Sequence, residues 1–192
     1  KNSDPDMDTD TYNTEQKLTA FVFIDGSLPD LQSIRAGLDP SLTVVILDPA
    51  NDEIQQMADT LQGVTELSAI HIISHGDSGL INLGSTQLSQ DSLAQYQSQL
   101  AIIGNALSDS GDLLLYGCNV ALGDSGQEFI TALANITGAN VAASTDLTGS
   151  ALLGGDWVLE AATGSIEAAT ISVNIAGVLD VINGTEGNDT LV

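Results

Sequence analysis

Two places in the chain set a reactive side chain at the end of an apolar run. Ala69-Ile70-His71-Ile72-Ile73-Ser74 leads into His75-Gly76, and Asp112-Leu113-Leu114-Leu115-Tyr116-Gly117 leads into Cys118, the one cysteine of the chain. A thiol supplies a nucleophile for attack on a carbonyl, and an imidazole takes up and returns the proton. Short apolar runs bounded by Gly or polar turns read as buried strands. In open parallel sheets the reactive groups gather at the carboxyl ends of the strands. If these two strands are neighbours, His75 and Cys118 face each other at one sheet edge, and the imidazolium is expected to lower the thiol pKa.

The elements that would position this pair follow from the hydrophobic pattern. Leu18–Ile24 reads as a strand closed by Asp25-Gly26. Leu31, Ile34 and Leu38 recur at helical spacing as far as Asp39-Pro40, and Leu42–Leu47 reads as a second strand. Asn51 is placed to cap a helix whose stripe is Ile54, Met57, Ala58 and Leu61, with Gly63 as its stop. After the His75 strand, Leu80–Leu83 and Thr86–Leu88 flank Gly84-Ser85 as a small hairpin. A long helix is expected from Ser89 to Leu107, then the Cys118 strand. Ser125–Glu128 fits a capping box ahead of Phe129, Ile130, Leu133 and Ile136, and Asn140–Ser144 reads as a fifth strand. Trp157–Glu160 and Ser165–Glu167 read as a closing hairpin. This alternation predicts an α/β fold with a largely parallel sheet flanked by helices, interrupted by one hairpin after the His strand.

Charge bounds the partners. The 192 residues carry 26 acids against 3 bases, a net charge of −23. Such a surface repels nucleic acid and anionic lipid, so neither is expected as a partner. It suits a setting rich in salt or divalent cations, and Ca²⁺ takes carboxylate ligands. No apolar run approaches the ~18 residues of a membrane helix, so no membrane insertion is expected. Residues 1–17 read as a polar linker and 18–168 as the folded domain. Residues 169–192 read as a second linker that runs into Asn183-Gly-Thr-Glu-Gly-Asn-Asp189-Thr-Leu191. That last run has the Gly and Asp rhythm of Ca²⁺-binding β-roll repeats, which makes Asp189 a candidate metal ligand. A single copy cannot stack, so the piece is expected to be a monomeric domain within a larger, secreted or cell-surface protein.

The order strand-His-Gly, helix, strand-Gly-Cys resembles the caspase–gingipain group of cysteine peptidases, which includes the self-cleaving domains of bacterial toxins. The resemblance covers residues 18–168 and is carried by Ile72–Gly76 and Leu114–Cys118. Within that group the chain most resembles an uncharacterised domain of giant bacterial surface proteins and adhesins, on Leu113–Ala121, Gly138–Gly149 and Gly154–Trp157. The resemblance implies a caspase-like fold, with Cys118 as nucleophile and His75 as general base and acid. It implies that the backbone N–H groups of Gly76 and Cys118 stabilise the oxyanion. It places the substrate pocket at the ends of the first and fifth strands, near Asp25 and Asp146. Two acids there would favour Lys or Arg before the scissile bond, and in cis Lys17 is the accessible choice. The substrate implied is a polypeptide, above all the chain's own. No cofactor is required for the chemistry. The toxin domains respond to inositol hexakisphosphate held in a basic cluster, which three bases cannot build. Ca²⁺ fits the charge better as a structural or activating ion.

Plainer readings compete with this one. Free cysteine is among the most buried residue types, so Cys118 could be an inert core thiol in a silent binding or spacer module, or in a Ca²⁺-stabilised structural domain. His71 reads as a core histidine and Trp157 as a packing anchor. One Cys and two His do not give the three or four spaced ligands of a zinc site. Gly-Asp-Ser-Gly occurs at 76–79 and 123–126. It is similar to a serine-peptidase nucleophile loop, but that loop belongs to a two-barrel fold.

Overall fold

A computed structural model describes residues 20–181 of the chain. The expected linker over residues 1–17 and the repeat-like run with Asp189 lie outside the described residues.

In chain order the elements are β1 (Ala20–Asp25), α1 (Leu31–Gly37), β2 (Thr43–Leu47), α2 (Glu53–Leu61), β3 (Leu67–Ile73), β4 (His75–Asp77), β5 (Leu80–Leu83), β6 (Thr86–Ser89), α3 (Gln97–Ala106), β7 (Leu107–Tyr116), α4 (Gly123–Thr137), β8 (Asn140–Ala143) and β9 (Ala161–Ala162). The main sheet runs β2-β1-β3-β7-β8-β9, and β4-β5-β6 form a separate antiparallel sheet. The first five strands of the main sheet are parallel, and β9 is an antiparallel edge. The α/β architecture therefore stands, and so does the hairpin after the His strand.

The central strands are near-continuous apolar runs because both faces of the sheet are covered. On β1, Phe21 and Phe23 join the core beneath α2, α3 and α4, while Ala20, Val22 and Ile24 join a second core on the opposite face. That second face is closed by Ile34 of α1, by Trp157 and by Ile171, Val173 and Ile175. The last three belong to an extended strap that alternates buried with exposed residues from Ile171 to Ala176. Tyr116 Oη accepts the Ile171 N–H at 2.9 Å, and the Asp30 carboxylate accepts the Gly177 N–H at 3.1 Å. Residues 171–181 are thus packed against the domain, not the linker that the sequence suggests.

Other boundaries differ for local reasons. Asp52, not Asn51, caps α2, with its carboxylate accepting the Gln55 N–H, while Asn51 donates to Asp48. Ser92 Oγ bonds Gln87 O and Ser89 O, which fixes a turn where the long helix was expected to begin. A 3₁₀ turn over Leu93–Tyr96 comes next, and α3 starts only at Gln97. The α4 helix begins at Gly123, so Ser125 lies inside it and caps nothing. Trp157–Glu160 and Ser165–Glu167 do not close as a hairpin. The segment between them pairs with β8 instead: Thr163 exchanges bonds with Val141, and Asn140 reaches Ser165 O.

Candidate active site

Strands β3 and β7 are neighbours, with Ile73 opposite Tyr116, so both apolar runs end at the same edge. Past β3 the Ser74 N–H donates to Tyr116 O, and His75 opens β4 opposite Asn82. Past β7 the chain turns through Gly117 into Cys118. Asn119 comes next, in the left-handed region at φ 59°, a conformation Asn tolerates. Its N–H is held by Asp146 O at 2.8 Å, which ties the cysteine loop to the end of β8. The two loops touch closely. A Cβ on Gly76 would fall 2.6 Å from Val120 Cγ2 and 2.9 Å from Cys118 O, so glycine is needed there for the backbones to approach.

The two loops aim their backbone donors at one atom. The Gly76 N–H and the Cys118 N–H both donate to Leu179 O, at 2.9 and 3.0 Å. Two converging N–H groups beside a thiol are the arrangement that stabilises charge on a carbonyl oxygen under attack. The strap continues past this carbonyl, and the Val181 N–H donates to Gly76 O at 3.3 Å.

Cys118 is fully buried. Its Sγ accepts the Thr148 N–H at 3.3 Å and lies 3.6 Å from Thr148 O. Burial pushes the thiol up to about 11, with the Thr148 N–H pulling it down and the Asp180 carboxylate pushing it further up. His75 is not among the groups that shift it, so the expected lowering by imidazole is absent and the sulfur is held as a thiol. His75 is half-buried, and its Nδ1 is enclosed with no hydrogen-bond partner among the described residues.

The acids expected in the pocket have other work. Asp25 is fully buried, and its carboxylate accepts the Ser27 N–H at 2.8 Å and the Ser27 hydroxyl at 2.9 Å. It starts a turn, as Asp after a strand commonly does. Glu53, also buried, is pushed up to about 8 by burial and by the Asp25 charge beside it. Asp146 is exposed, and Asp156 and Glu160 bring carboxylate oxygens within 4.8 Å of its own. Partial desolvation and Glu160 push Asp146 upward. Among the described residues these three are the ones that could hold a cation. Two of their oxygens already accept the Thr145 and Val158 N–H groups, and Ca²⁺ would need further oxygens from water.

His71 is a core residue, as expected. Its Nδ1 lies 3.1 Å from Tyr116 Oη, and burial lowers its pKa to about 4. Since Tyr116 Oη accepts from Ile171, its proton goes to Nδ1 of a neutral His71. Trp157 tilts against Tyr116 at 5.8 Å as a packing anchor.

The strap residues Gly177–Val181 were missed from sequence. The period-2 run Thr170-Ile-Ser-Val-Asn-Ile175 was the available signal, overshadowed by the glycine-rich run behind it.

A family profile described as a domain of unknown function (DUF4347) matches residues 21–177. No curated protein matches the chain. Among solved structures, a small-chain dehydrogenase is 9% identical over 62% of this chain and 76% of its own, with a TM-score of 0.34. The protein lin1944 from Listeria innocua is 18% identical over 63% of this chain and 66% of its own, with a TM-score of 0.30. Likenesses this distant have no bearing on what the chain does.

Proposed function

The chain belongs to this family of uncharacterised domains, and we propose that it is a cysteine endopeptidase of caspase-like fold acting on a polypeptide. One observation carries the reading: the N–H groups of Gly76 and Cys118 converge on a single carbonyl beside the one thiol. Cys118 is the nucleophile, and His75, at the end of the adjacent strand, is the base that takes its proton and the acid that returns it to the leaving amine. Thiol and imidazole need no cofactor for this. Calcium belongs to the reading as a structural or activating ion on the Asp146, Asp156 and Glu160 face. The acidity fits an exported or surface protein, within which the domain processes the protein that carries it.

The raised thiol pKa favours a second reading, in which Cys118 is inert and the domain is a silent binding or spacer module. The two part on one experiment. Cys118→Ala should abolish hydrolysis while leaving the circular dichroism spectrum unchanged. Hydrolysis that survives the substitution sinks the peptidase reading.

A further inference from the structure

Resting on the peptidase reading, we propose that the bond this site cuts is the chain's own peptide bond between Leu179 and Asp180. The Leu179 carbonyl is the one that accepts both the Gly76 and Cys118 N–H groups. The backbone before it is laid out as a substrate strand. Leu179 N–H donates to Thr148 O at 2.8 Å, Gly177 O accepts the Ser150 N–H at 2.8 Å, and Val178 pairs antiparallel with Gly149. Beyond the bond, Asp180 bridges in parallel to Gly76. An extended peptide added to a loop edge by main-chain bonds, with alternate side chains in pockets, is a recurring mode of peptide recognition.

The side chains agree with the backbone. Leu179 is 2% exposed and belongs to the apolar cluster that contains Cys118, Tyr116 and Trp157. The seat before the bond therefore takes an aliphatic side chain. The Lys or Arg preference inferred from Asp25 and Asp146 has no support here, since Asp25 is engaged by Ser27 and Asp146 faces solvent. Asp180 is exposed, so the amine released on its side opens into water. Gly149 sits at φ 132°, and a Cβ there would fall 2.6 Å from Gly177 O, so the groove accepts the strap only with glycine at that position. The family match ends at residue 177, so a cut after Leu179 leaves the whole matched domain on one side of the break.

The reaction balances with water alone. Cys118 Sγ bonds to the Leu179 carbonyl carbon as His75 takes the thiol proton. The bond from that carbon to Asp180 N breaks, and the proton passes to the departing amine. Water then hydrolyses the thioester, leaving a Leu179 carboxylate and the thiol.

The test is the intact mass and N-terminal sequence of the full 192-residue chain, monitored over time at neutral pH with and without Ca²⁺. A fragment that begins at Asp180 is expected, absent from Cys118→Ala and Cys118→Ser proteins of native circular dichroism. Leu179→Lys should slow its release by more than about a hundredfold, since it would bury an unpaired charge. A Cys118-dependent cut at another bond overturns the assignment and leaves the peptidase reading intact. An uncut chain whose Cys118 is labelled by a Val-Leu acyloxymethyl ketone does the same. An uncut chain that the ketone labels neither as it stands nor after Leu179→Ala, which frees the site of the strap, overturns both.

Discussion

Leu179 should hold the strap in the site, and its removal should be readable without any cutting. In a Cys118→Ala background, Leu179→Ala deletes a side chain that is 2% exposed. Large-to-small changes at such positions cost about 2–5 kcal/mol. Five backbone bonds fasten the strap here, from the N–H groups of Gly76, Cys118, Ser150, Leu179 and Val181. Each contributes about 0.5–1.5 kcal/mol net, so the side chain is worth roughly as much as the five together. Its loss should therefore release the strap locally and leave the sheet closed. At a factor of ten per 1.4 kcal/mol, amide exchange at Gly76 and at residue 118 should speed up by about 30-fold to about 4,000-fold. Phe23 and Ile72, inside β1 and β3, should keep their protection. Hydrogen exchange read residue by residue decides it. Unchanged exchange at positions 76 and 118 would refute the anchoring role. Loss of protection throughout β1 and β3 would show that Leu179 supports the whole fold.

Gly76→Ala places a Cβ 2.6 Å from Val120 Cγ2 and must displace the Gly76 N–H from Leu179 O. Losing one such donor costs about 10²–10³-fold in rate, so the release of the Asp180 fragment should fall by that factor with the far-ultraviolet spectrum unchanged. A rate within about threefold of the parent would remove the donor pair from the mechanism. Stability should respond to pH through two buried groups that oppose each other. His71 stays neutral in the fold down to about pH 4, whereas an unfolded histidine protonates near 6.5, so His71 makes stability fall as pH drops through that window. Glu53 keeps its proton up to about pH 8 and loses it near 4.5 when unfolded, so it makes stability fall as pH rises from 4.5 to 8. Between 4.5 and 6.5 the slopes cancel. From 6.5 to 8 only Glu53 acts, and stability should decline by at most about 2 kcal/mol. Glu53→Gln should flatten that decline in urea titrations; a decline that persists in this variant assigns it to another group.

The sheet was readable because its strands are apolar on both faces, and few other arrangements bury such runs. The His75 and Cys118 loops were readable for the same reason, since each comes after a run that must end at a sheet edge. The features that escaped depend on long-range pairing. Asp25 looked like a pocket acid because it ends a strand, but its burial beside Glu53 becomes visible only when α2 packs over β1. The strap escaped because extended backbone docked by main-chain bonds to Thr148, Ser150, Gly76 and Cys118 leaves almost no mark in side-chain type. The thiol pKa was misjudged for a linked reason. Burial and the Asp180 charge push it up, and the imidazole at the end of the next strand is not among the groups that act on it.

A cleavable bond that is part of the fold also fixes the kinetics. The strap before the bond is anchored by Ile171, Val173 and Ile175 and by the Tyr116 and Asp30 bonds, none of which the cut would break. The reaction is then intramolecular, so its rate is independent of protein concentration, and positioning is already supplied by folding. The new Leu179 carboxylate would stay tethered where the carbonyl was, facing the same two N–H groups. A peptide offered in trans would have to displace a tethered competitor of high effective concentration. Such a domain turns over once on its own chain and then silences itself. The raised thiol pKa leaves little thiolate at neutral pH and so slows that single turnover.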